Sequence, residues 1–250
     1  MSFKSPMKLV LPCIIALLLA CGHQREQQRN IMKDLKLMQR AMVAQQEIPP
    51  PSEDPERYGK WGELVRFMFE RLVKGAALNK EFLALAQETE LWTSPAEWKD
   101  PQKVKVIRSK AERLVAVVDE YTLLIDETSG EMAMEKIRTF KFGSRFNEGF
   151  RRGMQEHSAM LDELNALMIT TRNWARQMAD LLTLVDEKLV KLDGNIPKFE
   201  LIQDAERYRS LNYRIQQEKQ LLGDQVVRYL KNYKEYRKSL EAKFDKATES

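Results

Sequence analysis

Histidine and cysteine are scarce in this chain. Two of each occur in 250 residues, namely His23, His157, Cys13 and Cys21. Metal centres and histidine-based catalytic sites draw on several such residues at fixed spacings, and no HExxH, CxxC or calcium-loop pattern is present. Met154 stands three residues before His157, where the Glu-x-x-His pattern of di-iron bundles requires glutamate. We therefore predict no catalytic residue, no metal ligand and no cofactor, and a protein that is not an enzyme.

Glycine, proline and net charge are low as well. The chain has 10 glycines and 9 prolines, three of them together at Pro49–Pro51, a composition that favours helix. Its 41 basic and 37 acidic residues give a net charge of +4. Such a balance indicates no polyanionic partner by itself, and we expect no nucleic acid. The hydrophobic fraction of 43% is high enough to form a core and excludes a disordered chain.

The first 22 residues are arranged like an export signal. Lys4 and Lys8 precede an apolar run over Leu9–Ala20, which is shorter than the roughly 20 residues that a membrane span needs. Either Met1 or Met7 can serve as the start. The run ends in Leu18-Leu19-Ala20-Cys21, which resembles the lipobox of bacterial lipoproteins.

This resemblance implies cleavage after Ala20, removal of residues 1–20 and attachment of diacylglyceryl and acyl lipid to Cys21. Two or three such chains anchor a protein stably to a membrane. Gly22 follows the cysteine instead of aspartate; by the same resemblance this favours the outer membrane, facing the periplasm, where the envelope has two membranes. The alternative is an ordinary signal peptide with Cys21 left as a free thiol.

Helical periodicity dominates the rest of the chain. We predict a lipid-anchored stalk helix over 21–47 that docks only in part, a Pro-rich linker over 48–59 that spaces it from the body, and one helical bundle domain over 60–250. Shorter helices are expected over about 61–90 and 101–128. The second can begin at Ser94-Pro95 or at Asp100-Pro101, and Glu131–Phe142 fits either a helix or irregular structure.

Two longer heptad patterns follow, over about 144–193 and 199–247. Asp193-Gly194-Asn195 and Pro197 leave only a short turn between them, so we predict an antiparallel coiled-coil-like hairpin. The expected fold class is an all-α, elongated helical bundle with an N-terminal stalk helix and no sheet. The heptad seams contain four polar residues. We interpret His157 as a packed imidazole, Asn212 as fixing the register between helices and Lys219 as open to solvent, and leave Thr171 between the last two roles.

Two segments combine basic residues with aromatic ones. Residues 136–152 contain four phenylalanines and residues 228–238 contain three tyrosines. Their basic residues are candidate contacts for an anionic surface: Lys136, Arg138, Lys141, Arg145, Arg151, Arg152, Arg228, Lys231, Lys234, Arg237 and Lys238. The alternative is that the aromatic side chains pack inward while the basic side chains are only solvated.

The sequence thus favours a lipid-anchored, non-enzymatic cell-envelope protein that acts as a scaffold or adaptor for another envelope protein. A second hypothesis is a periplasm-facing module that binds a lipid or another small ligand in a cavity between helices, lined by methionine and aromatic residues. A cleft large enough for an acyl chain would favour the second hypothesis, and an exposed apolar surface on a closed core would favour the first.

Overall fold

The computed structural model describes residues 25–43, 46–129 and 131–249. The predicted signal peptide, its cleavage site at Ala20 and the lipidation site at Cys21 lie outside the described residues. The helices are α1 (Arg25–Val43), α2 (Pro55–Tyr58), α3 (Gly62–Trp92), α4 (Pro101–Ser129), α5 (Glu131–Thr139), α6 (Ser144–Lys188) and α7 (Ile202–Glu249), with 3-10 helices at Gly59–Trp61 and Pro95–Lys99 and strands β1 (Leu189–Asp193) and β2 (Ile196–Phe199).

The predicted helical bundle is confirmed, but the expectation of no sheet was wrong. β1 and β2 pair antiparallel as a ribbon between α6 and α7, so the first long helix ends at Lys188 and not at residue 193. Gly194 and Asn195 form its two-residue loop, and Gly194 has a positive φ of 62°, as a residue at the first position of such a loop often needs. The apolar residues that continued the heptad pattern here belong to strands.

Contacts within the chain divide it into two compact units. Among the described residues, the ribbon unit comprises 80–120 and 165–228, and includes β1 and β2. The α1 unit comprises the other described residues, namely 25–43, 46–79, 121–129, 131–164 and 229–249.

The ribbon unit has its core along α4 and α6. The predicted seam positions of both helices within this unit are buried: Val104, Ile107, Ala111, Leu114, Val118, Met168, Thr171, Ala175, Met178, Leu182 and Val185. Leu167, Trp174, Leu181 and Leu184 of α6 are buried too. A buried face this wide is typical of a helix packed in a bundle, since a two-stranded coiled coil buries only a narrow seam.

Tryptophans complete this core where α3 ends. The Trp92 and Trp174 rings stack with their centroids 5.8 Å apart, and the Trp98 indole donates a hydrogen bond to the Trp92 carbonyl over 3.1 Å. Of the two predicted starts for α4, Asp100-Pro101 is the one used, because Asp100 Oδ1 accepts a hydrogen bond from the Gln102 amide. Ser94 precedes only the 3-10 helix and makes no side-chain cap.

The α1 unit contains the N-terminal helix as a full member of its core. Ile31, Leu35 and Met38 of α1 are almost completely buried, in one cluster with residues of α3, α5 and α6. We expected this helix to dock only in part and residues 48–59 to hold it away from the body. Instead, Ile48 is buried in the same cluster, so the segment returns the chain to the helix it follows.

Candidate functional site

Four aliphatic side chains are exposed together in sequence around the ribbon. Val190, Ile196, Leu201 and Ile202 are 64%, 62%, 57% and 78% exposed. We call them the ribbon tip. Single exposed apolar residues are common, but clustered ones indicate an interaction surface. Leu201 was expected to lie on the buried seam of the second long helix, and its exposure is a correction to that pattern.

A β-bulge explains why Val190 faces solvent. Leu189 pairs with Phe199 and Lys191 with Lys198, which leaves Val190 without a partner across the ribbon. An extra residue in one strand bends that strand and redirects its side chain. The sequence offers no turn or glycine signal at Val190, so the bulge could not be predicted from it.

A cleft of about 330 Å³ lies beside β1 in the ribbon unit. Its apolar wall is formed by Trp98, Pro101, Val104, Val185, Leu189 and Leu192. Trp98, Val104 and Val185 are themselves buried core residues, so this wall is anchored in the packed interior. Its volume is at the lower end of the range of about 300–1,000 Å³ that small-molecule sites occupy.

Charged residues line the same cleft. The Asp186 carboxylate is ion-paired with Arg108, with 3.2 Å between Oδ2 and Nη1. Lys99 and Lys191 are exposed lining residues, and neither makes an ion pair with any residue that the structure describes. The cleft therefore combines an apolar wall with two unpaired lysines.

The basic segments predicted from the sequence belong mainly to the α1 unit. Their side chains are exposed wherever the structure describes them: Lys136, Arg138, Lys141, Arg151, Arg152, Lys231, Lys234 and Lys238. Arg228 is exposed as well but belongs to the ribbon unit. The side chains of Arg145, Arg237 and His157 lie outside the described part of the structure. Contact of these residues with an anionic surface stays a prediction.

Aromatic residues of these segments pack inward. Phe142, Phe150 and Tyr229 are buried, and Phe142 stacks on Trp61 with 4.3 Å between ring centroids. The Lys136 ammonium lies 5.4 Å from the centroid of the half-buried Phe140 ring, in the range of a cation–π contact. For these residues the inward-packing alternative describes the arrangement.

A buried polar cluster was missed by the sequence reasoning. Asn232 donates a hydrogen bond of 2.6 Å to Glu163, and the phenol of Tyr121 is fully buried near them. Burial raises the pKa of Tyr121. It also raises the pKa of Tyr229, with smaller contributions from Tyr121, Tyr233 and Glu163. Both phenols are therefore held neutral, which suits a packing role inside the α1 unit.

The other polar seam positions differ in their surroundings. Thr171 is buried and donates its hydroxyl to the Leu167 carbonyl of its own helix, so this bond does not reach across to another helix. Lys219 is exposed, as predicted, and Asn212 is half-buried. Over the described ranges, no three His, Cys, Asp or Glu side chains come together as they would around a metal ion.

Comparisons with known proteins give no match: no family model, no curated protein and no solved structure is significantly similar to the chain. None of the helices within the described ranges has both the length and the apolar character needed to cross a bilayer.

Proposed function

We propose that this protein is a lipid-anchored, non-enzymatic scaffold or adaptor of the cell envelope, and that the ribbon tip contacts its partner protein. The observation that carries the proposal is the exposure of Val190, Ile196, Leu201 and Ile202 within 13 residues of chain. Burying such aliphatic surface would contribute about 25 cal/mol for each Å² removed from water.

Charge around the tip supports a protein partner over an anionic membrane. Residues 187–202 contain three lysines and three acidic residues, so the two signs cancel. Segments that recognise anionic lipid carry an excess of lysine and arginine. Strand addition is disfavoured as well, because Pro197 and Lys198 protect β2 and the bulge interrupts β1. The partner is therefore expected to contact side chains of the tip.

Site-specific photo-crosslinking in the native envelope tests this contact. A photoreactive residue at Ile202 should give a discrete adduct with another protein. Val227 is the matched control, since it lies on the same helix and is 70% exposed, but 25 residues beyond Ile202. Equal adducts at both positions, or none at Ile202, would contradict the proposal.

The proposed anchor at Cys21 has its own experiment. We expect Cys21→Ser to remove the acyl mass from the mature protein and to release it from the membrane fraction. The corresponding serine substitution at Cys13, within residues 1–20, should leave the mature protein unchanged. Identical mass and fractionation of Cys21→Ser and the unaltered protein would show that the lipoprotein reading is wrong.

A second candidate function, a module that binds a lipid or another small ligand, is favoured by the cleft beside β1. We expected such a cavity to be lined by methionine and aromatic residues. The cleft instead has one aromatic residue, Trp98, and a wall of proline, valine and leucine side chains.

A further inference from the structure

We infer that the cleft beside β1 binds a short aliphatic chain that ends in a single anionic group, a carboxylate or a phosphate. This inference rests on the second candidate function and is independent of partner binding at the ribbon tip. Three features carry it: an apolar wall built from core residues, two lysines without ion-pair partners, and a carboxylate already paired with arginine.

The apolar wall defines the tail of the ligand. Trp98, Val104 and Val185 are buried, so the surface they present is fixed by core packing and needs little ordering when a ligand binds. A cleft of about 330 Å³ accommodates a ligand at the small end of the usual range. A single chain of medium length fits that volume better than a phospholipid with two long chains.

The lysines define the head group. Lys191 is directly opposite Lys198 in the ribbon register, and like charges across an antiparallel pair repel each other. Lys198 has a partner in Asp193, with Nζ 3.7 Å from Oδ2, whereas Lys191 has none among the described residues. An anion bound beside Lys191 and Lys99 would remove this repulsion.

Asp186 does not reverse this preference. Its carboxylate lines the cleft, but Arg108 is paired with it, so the two charges cancel. Lys99 and Lys191 then leave the lining with a net charge of about +2, which attracts an anion and opposes a cation. A cationic amphiphile with the same tail should therefore bind less well.

Titration calorimetry on the purified full chain tests the inference with four probes below their micelle-forming concentrations. Decanoate and decyl phosphate present the two anionic heads, 1-decanol a neutral head and decyltrimethylammonium a cationic head. We expect saturable one-to-one binding for at least one anionic probe, and at least tenfold weaker binding of the neutral and cationic probes. Binding of decanoate alone would identify a carboxylate ligand, and binding of decyl phosphate alone a phosphate ligand.

Two double variants locate the site. Lys99→Gln with Lys191→Gln should weaken binding of the anionic probe at least tenfold and leave thermal unfolding unchanged, because both side chains are exposed. Lys105→Gln with Lys219→Gln removes two exposed lysines of the same unit outside the cleft, and should leave binding unchanged.

A decanoate with a photoreactive tail provides a second measurement. Adducts are expected within residues 98–104 and 185–192. The inference is overturned if no anionic probe saturates, if the cationic probe binds equally well, if both double variants lose affinity equally, or if the adducts map elsewhere. None of these results would affect the cross-linking expected at Ile202, so failure of this inference is distinguishable from failure of the scaffold proposal.

Discussion

Tyr58 donates its phenolic hydrogen to Oδ2 of Asp34 across 2.7 Å and 24 residues of sequence. Arg57 binds the same carboxylate through two hydrogen bonds, of 2.8 Å from Nε and 2.7 Å from Nη2. The Tyr58 oxygen in turn accepts a bond from the Ser52 amide. One carboxylate on α1 thus fixes both the chain after the prolines and the start of α2.

Ionisation of Asp34 should make the α1 unit sensitive to acid. Burial opposes the charge, but hydrogen bonds from Arg57 and Tyr58 outweigh it and hold the pKa of Asp34 below its ordinary value of 3.8. A carboxylate with a lowered pKa stabilises the fold above its unfolded-state pKa, and this contribution is lost as the pH falls through the folded-state pKa. We expect Asp34→Asn to cost about 2 kcal/mol at pH 7 and progressively less below about pH 4.

Urea denaturation followed by circular dichroism between pH 7 and pH 3 measures this difference. Glu53→Gln is the matched control, because Glu53 is exposed on the neighbouring segment, and it should have no effect at any pH in that range. A constant difference between Asp34→Asn and the unaltered protein would show that ionisation of Asp34 does not contribute.

Two arginines with the same bidentate geometry should differ in their contribution to stability. Arg113 binds Glu81 over 2.6 and 2.8 Å, as closely as Arg57 binds Asp34. The side chains of Arg113 and Glu81 are 46% and 38% exposed, however, against 31% and 13% for Arg57 and Asp34. Solvent screens the exposed pair, so Arg113→Gln should cost less than about 1 kcal/mol and Arg57→Gln about 1–3 kcal/mol. Equal changes in the free energy of unfolding would contradict this ranking.

Helix positions were predictable here because burial follows a repeating pattern. Every seam residue predicted for α4 between Val104 and Ile125 is buried, and the helix begins at one of its two predicted starts. The pattern is less exact for α7, where Lys219 is exposed and Leu211, off the predicted seam, is buried. A heptad pattern counts apolar residues at intervals and does not reveal how many neighbours a helix has.

The candidate site was largely unpredictable for the same reason. Leu189 and Leu192 continue the heptad spacing of α6 but lie in a strand, since the hairpin signal at Gly194-Asn195 acts locally against the helical period. The cleft joins Trp98 to residues about 90 positions later in the chain. Periodicity carries no information about such a contact, and no residue type at these positions has a distinctive chemistry.

Gly194 should be needed for its backbone conformation alone. An added Cβ would meet no atom within 4 Å at Gly194 or at Gly143, but only Gly194 has a positive φ. Gly194→Ala should therefore destabilise the ribbon unit by about 1–2 kcal/mol, whereas Gly143→Ala should be neutral or slightly stabilising because it restricts the unfolded chain. Chemical denaturation of the two variants measures both values, and similar values would mean that the positive φ imposes no cost.

Neighbouring residues on α6 separate the packing role of the aromatic segment from its charge. Phe150 is buried in the α1 unit core and Arg151 beside it is exposed. We expect Phe150→Ala to cost about 3–5 kcal/mol, because it leaves a cavity where the ring packs, and Arg151→Ala to change the free energy of unfolding by less than about 0.5 kcal/mol. Flotation with vesicles containing anionic lipid provides the complementary readout, in which Arg151→Ala alone should weaken any binding. If Phe150→Ala leaves stability intact and abolishes vesicle binding, the ring serves the surface and not the core.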